Sequence, residues 1–237
     1  MFRRYKIADL ITEIDYSSKT LEKQSAAYAY DGSAPCDIRI QIPDDFLEMQ
    51  TVKNPHLTRD DLYYIWTGYD FYRQALNFGS FMMHASAVMY DGHAYLFSAN
   101  CGTGKSTHAS LWQKNFGEEN AKIINDDKPL IIKKNGVYHA AGTPWSGKSD
   151  KNINISIPIA GIAVIEQAPQ NSINPISPIE AFKELYSQTY RPGNAEAVDK
   201  LLVMFNELLT STALFRLKCN ISLEAAQTSY EAMRPYK

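Results

Sequence analysis

The run Ala99-Asn100-Cys101-Gly102-Thr103-Gly104-Lys105-Ser106 constrains this chain more than any other stretch. It follows an apolar run, Ala94 to Ser98, that reads as a strand. It precedes Thr107 to Phe116, which reads as a helix stopped by Gly117. A strand that passes through a glycine-rich loop into a helix calls for an α/β layout, because the helix must fold back against the sheet holding the strand. Gly102 and Gly104 let the backbone turn tightly with its N–H groups facing inward, and the helix N-terminus adds its positive dipole end. These are the parts of a phosphate cradle, the P-loop or Walker A arrangement. Asn100, Cys101, Gly102, Thr103, Gly104 and Thr107 surround the anion, Lys105 reaches the outer phosphates of a nucleotide, and Ser106 offers its hydroxyl to Mg²⁺. The pattern GxxxxGK[ST] expects glycine where this chain has Ala99.

The adjacent carboxylates Asp126-Asp127 close a short strand, Ala121 to Asn125. Successive side chains on an extended strand face opposite ways, so one carboxylate can hold a metal while the other meets a second substrate. Phosphoryl transfer uses that division. A solvated turn before Lys128-Pro129 is the other reading. His84 lies on the strand before the loop and reads either as a group near the transferred phosphate or as a structural histidine. The polar loop Gly142 to Lys151 offers Trp145 and Lys148 to an acceptor, unless Trp145 is simply packed down. Arg191, before Pro192-Gly193, is a further acceptor-side candidate. Cys101 reads as a small space-filling residue.

Elsewhere the signals are those of an ordinary folded chain. Of 237 residues, 45% are hydrophobic and 21% charged, which excludes disorder and coiled coil. The formal charge of −2 provides no positive field for nucleic acid or an anionic membrane. Cys36, Cys101 and Cys219 show no CxxC spacing, so neither a disulfide framework nor a zinc site is indicated. Neither a signal peptide nor a membrane-length apolar run is visible, and a cytoplasmic location is expected. Residues 1–55 read as a small β-rich region, with strands in Tyr5 to Leu10 and Cys36 to Ile42, and residues 56–237 as the P-loop domain. There Thr58 caps a helix with Leu62, Ile65, Trp66, Tyr69, Tyr72 and Leu76 on its apolar face. Asp91-Gly92 and Asn135-Gly136 turn two hairpins, the first beginning at Met83. Two strands, Ile153 to Ile157 and Ala160 to Glu166, precede a proline-rich connection. Helices follow Ser177 and Asn194, the first reaching Tyr190, then a strand, Ala213 to Cys219, and a last helix after Ser222.

Taken together, His84, the loop Ala99 to Ser106 and the pair Asp126-Asp127, in that order within a hairpin-rich region, resemble the HPr kinase and phosphoenolpyruvate carboxykinase superfamily. The likeness covers residues 80–166. It implies a mixed, hairpin-rich α/β sheet around the P-loop. It also places His84 near the reacting phosphate, makes Asp126 the proton acceptor and makes Asp127 a Mg²⁺ ligand beside Ser106. The chain is similar to small serine-kinase-like members, which implies ATP and Mg²⁺ as cofactors and a hydroxyl, above all a serine hydroxyl, on a small molecule or peptide as acceptor. Two alternatives use the same residues: an inactive nucleotide-binding accessory module, for which Ala99 is the sequence hint, and a phosphorylase or phosphatase acting on phosphoserine. The resemblance is compatible with a homo-oligomer.

Overall fold

A computed structural model describes residues 2–15 and 18–235. Strands β1 (Phe2–Ile7) and β2 (Leu10–Asp15) form an antiparallel hairpin, and β3 (Ile38–Ile40) joins β2 in parallel. The run Tyr5 to Leu10, expected as one strand, breaks at Ala8-Asp9. Both residues take positive φ, 50° and 71°, and make a two-residue turn without the Asn-Gly or Asp-Gly signal that usually announces one. Helices α1 (Lys19–Ser25) and α2 (Asp44–Lys53) also occupy this region, so it is less β-rich than its sequence implied.

Helix α3 (Arg59–Ala75) opens on a full capping box, Thr58 with Asp61. Its buried face is rotated from the expected one. Leu62, Tyr63, Thr67, Gly68, Phe71 and Tyr72 point inward, whereas Ile65 and Tyr69 are 46% and 43% exposed. The reason is tertiary. Trp145 packs into the notch left by Gly68, where an added Cβ would lie 2.7 Å from Trp145 Cδ1, and its ring stacks on Phe71. Trp145 and Phe71 share one apolar cluster with Ile7, Ile14 and Leu21 of the first segment, so the small sheet packs directly on α3.

The main sheet uses β4 (Ser80–Met82), β5 (Ala85–Tyr90), β6 (His93–Ser98), β7 (Lys122–Asn125), β8 (Leu130–Lys134), β9 (Val137–Ala141) and β10 (Ser156–Gln167), in the order β4-β8-β9-β10-β6-β5-β7. A branch adds β12 (Ala213–Cys219) beside β10, and β11 (Ser172–Pro175) beside β12. The sheet is mixed and curled because β10 serves three partners, one along its first residues and two along the rest. Residues 156–158 run antiparallel to β9, and after a bulge near Gly161 the strand runs parallel to both β6 and β12. The two strands expected here are therefore one. Gly161 permits the crossing, since a Cβ there would meet Phe215 and the Ala213 carbonyl at 3.1 and 3.2 Å. Strand β11 arises inside the connection read as proline-rich loop. It lies at a sheet edge, where Pro175 costs no central hydrogen bond.

Helices α4 (Lys105–Phe116) and α7 (Leu223–Met233) cover one face through Phe97, Trp112, Ile165 and Leu217. Helices α5 (Pro178–Ser187) and α6 (Ala195–Ser211) cover the other through Leu96, Val164, Leu185 and Phe205. Helix α5 ends at Ser187 rather than Tyr190, because residues 188–189 pair with Met83 and His84 instead. Among the described residues, no helix is long and apolar enough to cross a membrane.

Candidate active site

The loop 99–104 leaves β6 and enters α4 at the carboxyl ends of the parallel strands β6 and β10, between the two helical layers. Gly102 and Gly104 have φ of +80° and +115°, a region most side chains avoid, and this turns the loop back on itself. Thr103 N–H donates to Asn100 O at 3.3 Å. No side chain caps the start of α4, so its first-turn N–H groups stay open beside the loop. Lys105 folds into the concavity, with Nζ donating to Ala99 O at 2.9 Å and Asn100 O at 3.4 Å. Burial draws its pKa down, while Cys101, Asp127 and Asp126 lie near enough to oppose that shift. Asn100, Cys101, Gly102, Ser106 and Thr107 are exposed along the rim. Ala99 is 6% exposed and belongs to the apolar cluster of α4 together with Phe97 and Trp112, and it also lines the cleft on the α5 side of the loop.

Asp126 and Asp127 follow β7, held by a residue the sequence reading passed over. Buried Asn125 accepts from the N–H groups of Asp127 and Lys128 at 2.9 and 2.6 Å and donates to Thr143 O and Oγ1, both at 3.0 Å. An Asn directly before an acidic pair is the available signal, since its side chain readily closes a turn two residues on. Asp126 is buried and accepts from Ser86 Oγ at 2.7 Å. Asp127 Oδ1 meets His84 Nε2 at 3.0 Å, and Oδ2 takes the Lys128 ammonium. Burial acts to raise the Asp127 pKa, but the His84 hydrogen bond and the Lys128 charge overcome it and hold the carboxyl at about 2. His84 sits in the break between β4 and β5, not on the strand itself. Its N–H donates to Gln188 O at 2.7 Å, and its Nδ1 lies 3.0 Å from Gln188 Oε1.

The acceptor-side candidates fare differently. Trp145 is 1% exposed and hydrogen-bonds through Nε1 to Thr67 Oγ1 at 3.3 Å. It is a core residue and presents no face to a substrate. Lys148 is exposed and sits within electrostatic reach of Asp61 on α3. Arg191 is exposed and donates to Ser187 O of the preceding helix at 3.4 Å. Gly147, by contrast, touches the acidic pair. It has φ of +68°, and a Cβ there would sit 3.0 Å from Asp127.

Two clefts flank the crest Gly102–Thr103. The larger, about 820 Å³, lies toward α5 and carries Glu166, Lys183, Glu184 and Gln188 on its walls. The smaller, about 620 Å³, lies toward α4 and the end of β12. Gln167 Nε2 donates to Thr103 O at 3.1 Å from the ridge between them. Among the described residues, no three His, Cys, Asp or Glu side chains cluster as a metal centre. Mg²⁺ needs none when phosphate oxygens and waters complete its shell around one or two carboxylates, and an ionised Asp127 is the donor type it takes.

A protein-family model described as "SynChlorMet cassette protein ScmC" matches residues 56–192, more than half of the chain. No curated protein matches it. Among solved structures the chain is similar to the HPr(Ser) kinase/phosphatase from Coxiella burnetii, at 10% identity and a TM-score of 0.37, over 64% of this chain and 93% of that one. A likeness at that level assigns no residue and no activity.

Proposed function

From the premise that the chain belongs to the family described as SynChlorMet cassette protein ScmC, we propose that it is an ATP- and Mg²⁺-dependent phosphotransferase acting on a hydroxyl, above all a serine hydroxyl, of a small molecule or peptide. One observation carries the reading: Lys105 lies folded in a glycine-built concavity at the start of α4, with Asp126 and Asp127 close enough to act on its charge. Phosphate oxygens replace the Ala99 and Asn100 carbonyls as partners of Nζ, and the loop amides and the α4 terminus take the rest of the anion. Ser106 and Asp127 would hold Mg²⁺, which when bound neutralises charge on the phosphates and orients them. Asp126, already positioned by Ser86, takes the proton of the acceptor hydroxyl as that oxygen bonds to the γ-phosphorus and the bond to the ADP oxygen breaks. The larger cleft leads to this point through Gln188, the partner of His84, and is the space for the acceptor.

The test is a thermal melt with MgATP or MgADP on the wild type and on Lys105→Ala, followed by transfer of labelled γ-phosphate to serine-bearing small molecules and peptides. At nucleotide near 100 times Kd, linkage predicts about 2.7 kcal/mol, a rise of several degrees, and the variant loses it. Transfer disappears in Asp126→Asn while nucleotide binding stays. Absence of any shift with any nucleotide overturns the reading.

A further inference from the structure

We propose that the Lys128 ammonium is a built-in occupant of the divalent-cation place on Asp127, one that bars a bare metal ion and gives way when the ion comes with a nucleotide; this rests on the reading of Asp127 as a Mg²⁺ ligand. Both oxygens of that carboxylate are engaged, Oδ1 with His84 Nε2 at 3.0 Å and Oδ2 with the Lys128 ammonium. A divalent ion and an ammonium on one carboxylate repel each other, so an incoming ion has to dislodge a partner that is already there.

The surroundings decide which partner yields. His84 is gripped twice by Gln188: its backbone N–H donates to Gln188 O at 2.7 Å, and its Nδ1 lies 3.0 Å from Gln188 Oε1. Lys128 is fixed only along its backbone. Its N–H donates to Asn125 Oδ1 at 2.6 Å, and its carbonyl accepts from Tyr72 OH at 2.7 Å and from Thr143 Oγ1 at 3.0 Å. None of those bonds uses the side chain, which is 37% exposed and carries its charge on a flexible four-carbon stem, so water can receive the ammonium once it leaves. In the empty site Lys128 supplies the positive charge that part-buried Asp127 needs. A bare ion has to overcome that pair unaided. An ion that arrives with phosphates brings negative charge to offset the released ammonium, and the two are admitted together.

The test is titration of Mn²⁺ alone, followed by the loss of its free-ion paramagnetic resonance signal, into the wild type, Lys128→Met, Lys128→Arg and Asp127→Asn, with calorimetric titration of MnADP alongside. Lys128→Met keeps the stem and every backbone bond but not the charge, and it should bind bare Mn²⁺ about tenfold more tightly than the wild type, the worth of one charge-assisted hydrogen bond released. Lys128→Arg should behave as the wild type, and Asp127→Asn should lose the ion. The affinity for MnADP should change little in Lys128→Met, because the variant loses the barrier and the offsetting charge together. Equal Mn²⁺ affinity in the wild type and Lys128→Met, or a gain for MnADP as large as the gain for Mn²⁺, overturns the proposal while leaving the nucleotide reading standing. Mn²⁺ binding that survives Asp127→Asn unchanged overturns the metal role of Asp127, and the proposal with it.

Discussion

His84 Nε2 stands 3.0 Å from Asp127 Oδ1, and the other nitrogen of the same ring reaches Gln188 Oε1 at 3.0 Å. One imidazole thus ties the acidic turn after β7 to the residue that closes α5 on the wall of the larger cleft. Both of its partners are acceptors, and that arrangement helps to keep Asp127 ionised.

The first prediction follows from that ionisation. The Asp127 pKa is held at about 2 against an ordinary 3.8, so its contribution to stability is fully present above pH 3.8 and is lost as pH falls through about 2. The difference corresponds to on the order of 2 kcal/mol. Asp127→Asn should cost about that in urea unfolding at pH 7 and almost nothing at pH 2. Equal losses at both pH values would show that packing, not charge, is what the carboxylate supplies.

Asn125→Ala should damage the acidic turn without touching either carboxylate. The substitution strips the acceptor from two part-buried backbone N–H groups and the donor from buried Thr143. Unsatisfied buried groups cost about 1–3 kcal/mol each, so a loss of about 2–4 kcal/mol is expected after partial relaxation. Chemical denaturation measures it, and a loss under about 0.5 kcal/mol would rule out the positioning role.

Gly68→Ala should reverse the usual sign of such a change. In a helix interior alanine is normally favoured over glycine by about 1 kcal/mol, but here the methyl group meets Trp145 at 2.7 Å in a fully buried stack. A net destabilisation of about 1–3 kcal/mol is expected. Trp145→Phe should likewise lower the melting temperature while leaving the acceptor KM where it was, because the indole faces the core. A changed KM at unchanged stability would return Trp145 to the acceptor side.

His108 sets an acid limit of its own. Burial alone lowers its pKa to about 4 from 6.5, so the unfolded chain binds the extra proton between those values. Stability from this group is complete above pH 6.5 and declines as pH falls through about 4, by on the order of 3 kcal/mol in total. In His108→Gln the slope of unfolding free energy against pH between 6.5 and 4 should flatten. A slope identical to the wild type would assign the acid sensitivity to other groups.

Much of the local structure was legible because its signals are local. The capping boxes at Thr58 and Ser177, the Asp91-Gly92 and Asn135-Gly136 turns and the loop glycines each act within a few residues, and each stands where its chemistry placed it. The Ala8-Asp9 turn was missed because Ala8 takes positive φ without a preference for it and no glycine follows Asp9. Strand β11 was missed because an edge strand beside β12 has no pattern of its own in a proline-rich stretch. Among candidate site residues, Asp126, Asp127, Lys105 and His84 were visible as residue types with recognisable chemistry. Asn125, Ser86 and Gln188 were not, since an amide or hydroxyl acquires a positioning role only from the partner it meets.

By itself, then, the amino-acid sequence determined where the backbone turns and caps, and that Lys105 and Ser106 open a helix directly after a loop containing Gly102 and Gly104. These depend on φ preferences and hydrogen bonds spanning a handful of residues. Only the tertiary structure decided which face of α3 is buried, that Trp145 belongs to the core, and that β10 joins both halves of the curled sheet. It also decided that His84 links Asp127 to Gln188. Those outcomes depend on which distant side chain fills a given notch, and close packing between segments far apart in the chain leaves no periodic trace in either one.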